Sequence, residues 1–556
     1  MRLNNKATFS TMAFILLAIT FTWLYSDNKE SLAIDSHYSG KVTERDINLN
    51  ARQDYDDLVE EGFQPRDDVP PWPFNTPVEW GADPFNDRNW QFQLHAWRGI
   101  DPILVKYYQT KDPALFHEAL GFILDWKNFH QQNGAAKFSW YDMATGLRAM
   151  RIALILDDIY EGKVEVPESQ VAALLKMANQ HATRLQDEEF ISLGNHGVFQ
   201  VFGLSVLCSV IDDSPSCDNG QDFAQRMFEK IIDHAYTAEG VHKEHSPFYH
   251  HFTTVAINRY DASKFNSDRA LSLVEKAIDV RPWLAWPDGH FVEAGDTEGE
   301  TTPLRRQNSL QCLNDERCYA VGDYTESGYA IIRSNPGEDD QPSMIFVTGM
   351  AYSTTHKHAD GLSFSLLENG EHVFIDSGKY GYERDKWWDY TRSAAAHNTI
   401  SLSNHTISRD DISMDGSLLN SITNDESSFI ISGQLERPGL FTQQREIEYT
   451  PGENLVIKDT VSSQSEQSFV SSLHLAPSLT PELNEKGFEV RLTNGELVSA
   501  RLQDNDCEID SIRGQEEPVL GWKSVGYLDM QPTTVVRAIC SGTSRTITWN
   551  INFGQS

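Results

Sequence analysis

Three histidines and an aspartate lie close together between residues 356 and 397, in a stretch with the pattern of β-strands. They are His356 and His358 in HKHAD, Asp376 in FIDSG, and His397 in HNT. In an extended chain His356 and His358 face the same side, and returning strands could bring Asp376 and His397 to them. Nitrogen and oxygen ligands of this kind suit a tetrahedral zinc. The residues alone therefore predict a four-ligand metal site or the wall of an active site.

The segment between Asp376 and His397 carries side chains that could bind a ligand beside this cluster. Arg392 could form two parallel hydrogen bonds with a substrate carboxylate, although a solvated arginine is the usual alternative. Tyr382 and Tyr390 lie in the same segment and would be drawn to the same place. We assign these three residues to substrate binding.

Two earlier motifs could also carry chemistry. Asn195 and His196 precede a strongly apolar helix, where Asn195 could instead be a simple N-cap. In the second motif, EHSPFYHH, Ser246 as N-cap and Pro247 as first helical residue place Tyr249 in the first turn. The positive end of a helix favours a phenolate there, and a tyrosine of ordinary pKa near 10 needs such help to act as a base. The alternative role for Tyr249 is packing.

Helical periodicity dominates the chain from about residue 85 to 310, with apolar residues three and four positions apart. Helices of this length joined by short loops predict antiparallel hairpins arranged as a layer or a toroid. We predict helices over 114–130, 146–160, 169–185, 195–211 and 222–236.

After about residue 325 the period changes to two, and short segments rich in β-branched and aromatic residues alternate with turns. Hairpin turns are predicted at Glu368-Asn-Gly370 and Thr493-Asn-Gly495. The fold class is therefore α+β multidomain, with an N-terminal incomplete (α/α) toroid of helical hairpins followed by a C-terminal antiparallel β-sandwich.

The N-terminal segment of the chain predicts an exported protein. Residues 1–25 have the positive start and apolar run of a signal peptide or an uncleaved signal anchor, and residues 26–84 are an acidic arm or linker. We place the helical domain at 85–322 and the β-sandwich at 323–556. The predicted location is periplasmic, cell-surface or secreted, with a membrane tether as one option. The formal net charge of −35 argues against a nucleic-acid partner.

Six cysteines fit the same compartment. They fall into neighbouring pairs, and three disulfides are expected in an oxidising environment. Six cysteines nevertheless allow 15 connectivities, so the pairing stays open at this point, as does a buried free thiol at Cys208.

The stretch from His356 to Asn398, together with NHG at 195–197 and EHSPFYHH at 244–251, resembles the heparinase II/III-like polysaccharide lyases. The resemblance implies that His358, Asp376 and His397 bind a structural Zn²⁺ while His356 faces the substrate. It further implies that Asn195 and His196 contact a uronate carboxylate and that Tyr249 is the main proton-transfer residue. We add His245, from the same motif, to the substrate-binding residues.

The resemblance implies a lyase that removes the C5 proton of a uronic acid and expels the oxygen at C4. Tyr249 could act as both base and acid, and His356 could be the base for the opposite stereochemistry. One alternative is a uronyl C5-epimerase, which needs two proton carriers flanking C5. A second alternative is a non-catalytic, zinc-braced polysaccharide-binding protein. The negative charge of the chain favours a carboxylated, lightly sulfated or unsulfated polymer. Oligomeric state is not predicted.

Overall fold

The computed structural model describes residues 42, 49, 51–67, 69–133, 136–297, 299, 301–314, 317–338, 341–381, 383–504 and 506–554. The predicted signal segment 1–25 and Tyr382 lie outside these residues. Packing divides the chain into two units. One comprises the chain up to Ala235 with Val255–Val274, and the other comprises Tyr236–Thr254 with Glu275–Ser556. The domain bounds given above stay predictions.

α-Helices occupy most of the chain between Tyr55 and Val280, which confirms the predicted helical region. Each of the five predicted helices is present, with ends that differ by only a few residues. The arrangement as a toroid stays a prediction. The helices are Tyr55–Glu60, Arg88–His95, Asp101–Thr110, Pro113–Asn133, Asp142–Tyr160, Glu168–Leu185, Asn195–Val210, Gly220–Ala235, Pro247–Arg259 and Asp268–Val280. In the described part of the chain, no helix has both the length and the apolar run needed to span a membrane.

Two apolar helices form the centre of the first unit. Asp142–Tyr160 and Asn195–Val210 are buried over nearly their whole length, so neither has a solvent face of its own. They approach closely at two glycines, because a Cβ on Gly203 would lie 2.4 Å from the carbonyl oxygen of Gly146. Close backbone contact therefore holds these two helices together at the middle of the second helix, whose first turn carries Asn195 and His196.

The predicted acidic arm needs a correction in its described part. Phe63, Phe74 and Trp80 are all buried, and Phe63 pairs with Trp72 through a β-bridge. The aromatic residues between the acidic ones thus join the hydrophobic core. The acidic residues of this segment are mostly exposed, whereas its aromatic residues are mostly buried, so the overall composition did not indicate a contribution to the core.

The second unit contains two antiparallel sheets that share one hydrophobic core, as predicted for a β-sandwich. The smaller sheet has six strands in the order Gln311–Leu313, Arg317–Tyr324, Tyr329–Arg333, Met344–Thr348, Ser363–Glu368 and Glu371–Phe374. The main path of the larger sheet is Leu419–Asn424, Phe429–Arg437, Phe441–Thr450, Asn454–His474, Thr534–Phe553, Leu497–Leu502, Gly487–Arg491 and Glu482–Asn484.

Shorter elements complete this unit. Ile400–Leu402 pairs with Asn454–His474, and Glu508–Arg513 pairs with Thr534–Phe553. One further α-helix, Lys386–Thr391, lies between Asp376 and His397 in the sequence. Three two-stranded ribbons join Met350–Ala351 to Gly416–Ser417, Gln515–Glu516 to Val519–Leu520, and Trp522–Gly526 to Asp529–Pro532.

Two strands are much longer than the sequence pattern indicates. Asn454–His474 and Thr534–Phe553 have 21 and 20 residues, whereas the sequence pattern predicts short strands separated by turns. The polar, exposed stretch around Ser462–Gln467 resembles a loop in sequence. In the structure it is a register shift in a continuous ladder.

The predicted turns and disulfides are confirmed. Asn369 and Gly370 both have positive φ and join Ser363–Glu368 to Glu371–Phe374, as a two-residue hairpin turn requires. The turn at Gly495 joins Gly487–Arg491 to Leu497–Leu502. Every cysteine pairs with its neighbour, and the three disulfides are Cys208–Cys217, Cys312–Cys318 and Cys507–Cys540. Cys208 is therefore not a free thiol.

Candidate active site

Tyr249 and His356 form a stacked pair in the second unit. Their ring centroids are 3.5 Å apart, and their planes differ by 9°. The predicted start of the helix is confirmed, because Pro247 begins it and the Tyr249 N–H donates to Ser246 Oγ at 3.3 Å. His356 has a φ of 52°, a left-handed conformation that is costly for a residue with a Cβ. The surrounding structure therefore holds His356 in place against the tyrosine.

Glu244 sets the orientation of the His356 ring. Its Oε2 lies 3.1 Å from His356 Nδ1. Burial would raise the pKa of the Glu244 carboxyl, but His242 and His356 lower that pKa to about 2. The ionised carboxylate can only accept, so His356 Nδ1 carries the proton and Nε2 is left for chemistry. This role was not predicted, because the two residues are 112 positions apart and share no local pattern.

His245 does not fit the predicted substrate-binding role. Its Nδ1 bonds to the carbonyl oxygen of Thr355 at 2.8 Å, and its Nε2 accepts from the Tyr352 N–H at 3.1 Å. Burial, with a smaller contribution from Lys357, lowers the pKa of His245 to about 3. Both nitrogens of this neutral, buried imidazole serve the backbone, and we correct its role to structural support of the loop before His356.

His358, Asp376 and His397 come together as a group that could hold a metal ion. Each offers one ligand atom, and these atoms lie within 4.8 Å of one another. His358 Nδ1 and His397 Nε2 are buried and have no hydrogen-bond partner among the described residues. An orphaned buried nitrogen is costly, and a metal would satisfy both. His356 is not part of this group, so the four-ligand interpretation of the residues alone is replaced by three.

Carboxylates orient both histidines of this cluster. Asp376 Oδ2 lies 2.7 Å from His397 Nδ1, and Asp296 Oδ1 lies 3.0 Å from His358 Nε2. Burial would raise the pKa of Asp296, but Arg392 and His358 hold it well below its usual range. Asp296 was not predicted, since it lies in an irregular segment without a motif. Only the fold brings it to the cluster.

The remaining predicted substrate-binding residues are engaged within the protein. The Arg392 guanidinium donates to Asp296 Oδ1 at 2.7 Å and lies over the ring of Trp388. The Tyr390 hydroxyl donates to the carbonyl oxygen of Trp522 at 3.3 Å in a small buried cluster. Tyr390 thus packs in a buried cluster and Arg392 pairs with Asp296, and their roles in substrate binding stay predictions. Tyr382 lies outside the described residues.

The first unit carries the Asn195 and His196 motif at the start of its buried helix. The N-cap is Gly194, so Asn195 is the first helical residue and not the cap. Its side-chain amide has no hydrogen-bond partner among the described residues. His196 Nδ1 lies 3.0 Å from Asp142 Oδ1. Burial would raise the pKa of Asp142, but His196 lowers it, so an ionised carboxylate orients this imidazole.

Family profiles match both parts of the chain. The heparinase II/III N-terminus profile matches residues 18–291, and the heparinase II/III-like C-terminal profile matches residues 319–549. The chain belongs to the heparinase II/III-like family. The predicted resemblance is thus confirmed, and with it the assignment as a polysaccharide lyase. No curated protein sequence matches the chain.

Solved structures of heparinase-like enzymes share the fold. Heparan sulfate lyase HepC from Pedobacter heparinus is 15% identical with a TM-score of 0.70, covering 91% of this chain and 84% of that one. Heparinase III, the BT4657 gene product, is 15% identical with a TM-score of 0.68, covering 92% and 86%. Another heparinase III structure is 14% identical with a TM-score of 0.66, covering 97% and 89%. At these identities the likeness shows the fold alone.

Proposed function

We propose that this heparinase II/III-like protein cleaves a uronic-acid-containing anionic polysaccharide by β-elimination. A base removes the proton at C5, the electron pair forms the C4–C5 double bond, and the C4–O bond breaks as the leaving oxygen gains a proton. The observation that carries this proposal is the stacked pair of His356 and Tyr249, with Glu244 fixing the imidazole. The pair supplies the two proton-transferring groups that the reaction needs.

The ring exposures suggest how the two roles divide. His356 is 8% exposed and Tyr249 is 0% exposed. With Nδ1 held by Glu244, His356 Nε2 can accept the C5 proton, as an imidazole oriented by a carboxylate does in other general-base sites. Tyr249, stacked on that ring, then donates its phenolic proton to the leaving oxygen. This division requires the Tyr249 hydroxyl to become accessible when polymer binds.

The close stacking of the pair favours elimination over the alternative C5-epimerase. An epimerase needs one proton carrier on each face of C5. A separation of 3.5 Å between nearly parallel rings leaves no room for a sugar between His356 and Tyr249. The same two rings therefore support proton transfer on one side of the sugar.

We further propose that Asn195 and His196 bind the uronate carboxylate. The Asn195 amide has no hydrogen-bond partner among the described residues and can donate. His196, whose Nδ1 lies 3.0 Å from the Asp142 carboxylate, can donate from Nε2 as the imidazolium, which that carboxylate stabilises. Removal of the C5 proton places negative charge on the adjacent carboxylate. Donors aimed at that carboxylate stabilise the transition state more than the ground state.

We propose that His358, Asp376 and His397 hold a Zn²⁺ with a structural role. The two orphaned imidazole nitrogens support this assignment. The ion would bind to those two nitrogens and would stabilise the segment that carries His356 and His358. The proton transfers are assigned to His356 and Tyr249, and the metal contributes to folding stability.

We propose that the protein works outside the cytoplasm. The three disulfides support this location, because disulfides persist in oxidising compartments and are rare in the cytosol. A periplasmic, cell-surface or secreted enzyme would meet extracellular polysaccharides there.

A panel of polymers tests the proposed function. Purified protein is incubated with alginate, hyaluronan, chondroitin, heparan sulfate and bacterial exopolysaccharides, and the ultraviolet absorbance of unsaturated uronate is followed. We expect a signal with at least one carboxylated polymer of low sulfation. Absence of a signal with every uronate polymer would count against β-elimination, and bound but uncleaved polymer would support the non-catalytic alternative.

A further inference from the structure

Asp296 is a buried carboxylate in the second unit. Its side chain contacts His358, one of the three residues of the proposed metal site. Its Oδ1 lies 3.0 Å from His358 Nε2, and the Arg392 guanidinium donates to the same oxygen at 2.7 Å. The residue is only 1% exposed, so these protein groups take the place of water around the charge. The arginine offsets the cost of burying the carboxylate, which leaves Asp296 free to accept from the histidine.

The main chain of Asp296 contacts the stacked catalytic pair. Its N–H donates to the carbonyl oxygen of His356 at 3.0 Å, which holds the histidine in its left-handed conformation. Its carbonyl oxygen accepts from Ser246 Oγ at 3.1 Å, and the same hydroxyl oxygen caps the helix at the Tyr249 N–H. Asp296 therefore contacts the backbone of His356, the side chain that caps the helix of Tyr249, and the imidazole of His358.

The residue before Asp296 shows how closely the chain passes through this point. Gly295 has a φ of +54°, and a Cβ there would lie 2.4 Å from the carbonyl oxygen of His245 and 2.6 Å from that of His356. Any side chain at position 295 would clash with the backbone on both sides. Glycine allows the segment to pass between the two loops and bring Asp296 into place.

We propose that Asp296 is a positioning residue that sets the metal-ligating nitrogen of His358 and, through its backbone, ties this cluster to the His356–Tyr249 pair. The proposal rests on the Zn²⁺ site described under Proposed function. A carboxylate that accepts from His358 Nε2–H leaves the lone pair on Nδ1, the nitrogen that has no partner among the described residues. The opposite tautomer would carry a proton on Nδ1 and could not bind a metal through that nitrogen.

The carboxylate cannot be replaced by an amide of the same size without loss. An asparagine at position 296 can turn its NH₂ group toward His358 Nε2 and so favour the proton on Nδ1. It also leaves Arg392 without its charged partner. Outer carboxylate partners of ligating histidines typically contribute ten- to a hundredfold to metal affinity, so a change of that size is expected here.

Zinc affinity of the purified full-length protein tests the proposal. Apo protein is titrated with Zn²⁺ against a competing chromophoric chelator, for the natural protein and for Asp296→Asn. We expect the Kd for Zn²⁺ to rise about ten- to a hundredfold in the variant. Natural affinity in a folded Asp296→Asn protein would overturn the proposal.

Asp459→Asn is the matched control. Asp459 is also a fully buried carboxylate of the second unit, and it pairs with the Arg445 guanidinium at 2.7 Å. Its loss should lower the melting temperature as Asp296→Asn does and leave zinc affinity unchanged. Equal loss of zinc affinity in both variants would mean that Asp296 acts only through general stability, which contradicts the proposal.

A measurement on the natural protein covers the case in which Asp296→Asn does not fold. Nitrogen-15 spectra of histidine-labelled apo protein report the tautomer of His358, assigned with His358→Gln. We expect the proton on Nε2, and a proton on Nδ1 would overturn the proposal. If the natural protein binds no Zn²⁺, both this proposal and the zinc assignment are wrong. The proposed reaction is tested separately by lyase activity, and it stands if that activity is present.

Discussion

The imidazole of His356 lies face to face on the phenol ring of Tyr249, with 3.5 Å between ring centroids. The two residues are more than a hundred positions apart in sequence, and both belong to the second packing unit. Tyr249 lies in the first turn of a helix that Ser246 caps. His356 lies in a loop, has a left-handed backbone conformation and contacts Glu244 through its Nδ1. This contact brings two proton carriers together, and the proposed elimination depends on it.

Tyr249→Phe removes one of these carriers and keeps the stacked ring. We expect turnover to fall by about 10²- to 10⁴-fold, the usual contribution of a general acid or base. The free energy of unfolding should change by about 1 kcal/mol or less. Initial rates and thermal melts measure the two effects. Tyr329→Phe is the control, because it removes a buried tyrosine hydroxyl of the same unit that has no described partner, and its rate should stay natural.

Glu244→Gln removes the charge that keeps the proton of His356 on Nδ1. We expect kcat to fall by about 10²- to 10⁴-fold, because an amide can donate to Nδ1 and so hold nearly all of the imidazole in the wrong tautomer. Glu293→Gln is the control, since Glu293 is likewise a carboxylate with a pKa lowered to about 2, paired with Lys523. Similar kcat losses in both variants would show that Glu244 has no special relation to His356.

His358→Ala should lower zinc content and thermal stability together. A ligand that binds only the folded state stabilises it by about 2.7 kcal/mol at a free concentration of a hundred times its Kd. Metal analysis and melting curves, with and without a chelator, measure the effect. His290→Ala changes an exposed histidine of the same unit and should alter neither quantity. Full zinc content in His358→Ala would exclude this residue from the ligand set.

Buried histidines predict that stability falls in mild acid. Burial is the largest cause that lowers the pKa values of His95, His181 and His250 to about 3. The unfolded chain binds these protons below about pH 6.5 and the folded chain does not. The stabilisation is therefore present above pH 6.5 and is lost as the pH falls toward 3, by about 1.4 kcal/mol per pH unit for each histidine.

Melting temperatures measured from about pH 7.5 to about pH 4.5, a range that includes the ordinary histidine pKa of about 6.5, check this dependence. His250→Gln supplies the control, because an amide can replace both hydrogen bonds of the ring, from the His242 N–H and to the Ala277 carbonyl. In this variant the free energy of unfolding should depend on pH less steeply, by the contribution of one proton. A melting temperature that rises on acidification would contradict the assignment of neutral buried histidines.

Local patterns predicted much of the fold. The helix positions, the hairpin turn at Asn369-Gly370 and the cap at Ser246 each depend on residues within a few positions of one another. The two long strands were missed, because an exposed polar bulge such as Ser462–Gln467 has the composition of a loop. Local composition could not show that the ladder continues through it.

The candidate site was predicted less completely, for a related physical reason. The histidines and Tyr249 stand in recognisable motifs, whereas their carboxylate partners are isolated residues. Glu244 is 112 positions from His356, Asp296 is 62 positions from His358, and Asp142 is 54 positions from His196. No periodicity records such contacts. Likewise, the sequence offered Arg392 as free for substrate, and only the structure shows that Asp296 accepts from it.

Mass analysis of the cleavage fragments tests the central claim most directly. Elimination adds no water, so the fragments of a defined uronate oligosaccharide should sum to the mass of the substrate, and the new nonreducing end should be unsaturated. His356→Gln and Tyr249→Phe should produce almost none of these fragments. Fragments that have gained one water would show hydrolysis, and exchange of the C5 hydrogen with solvent without cleavage would show epimerisation. Either result would contradict the proposed β-elimination.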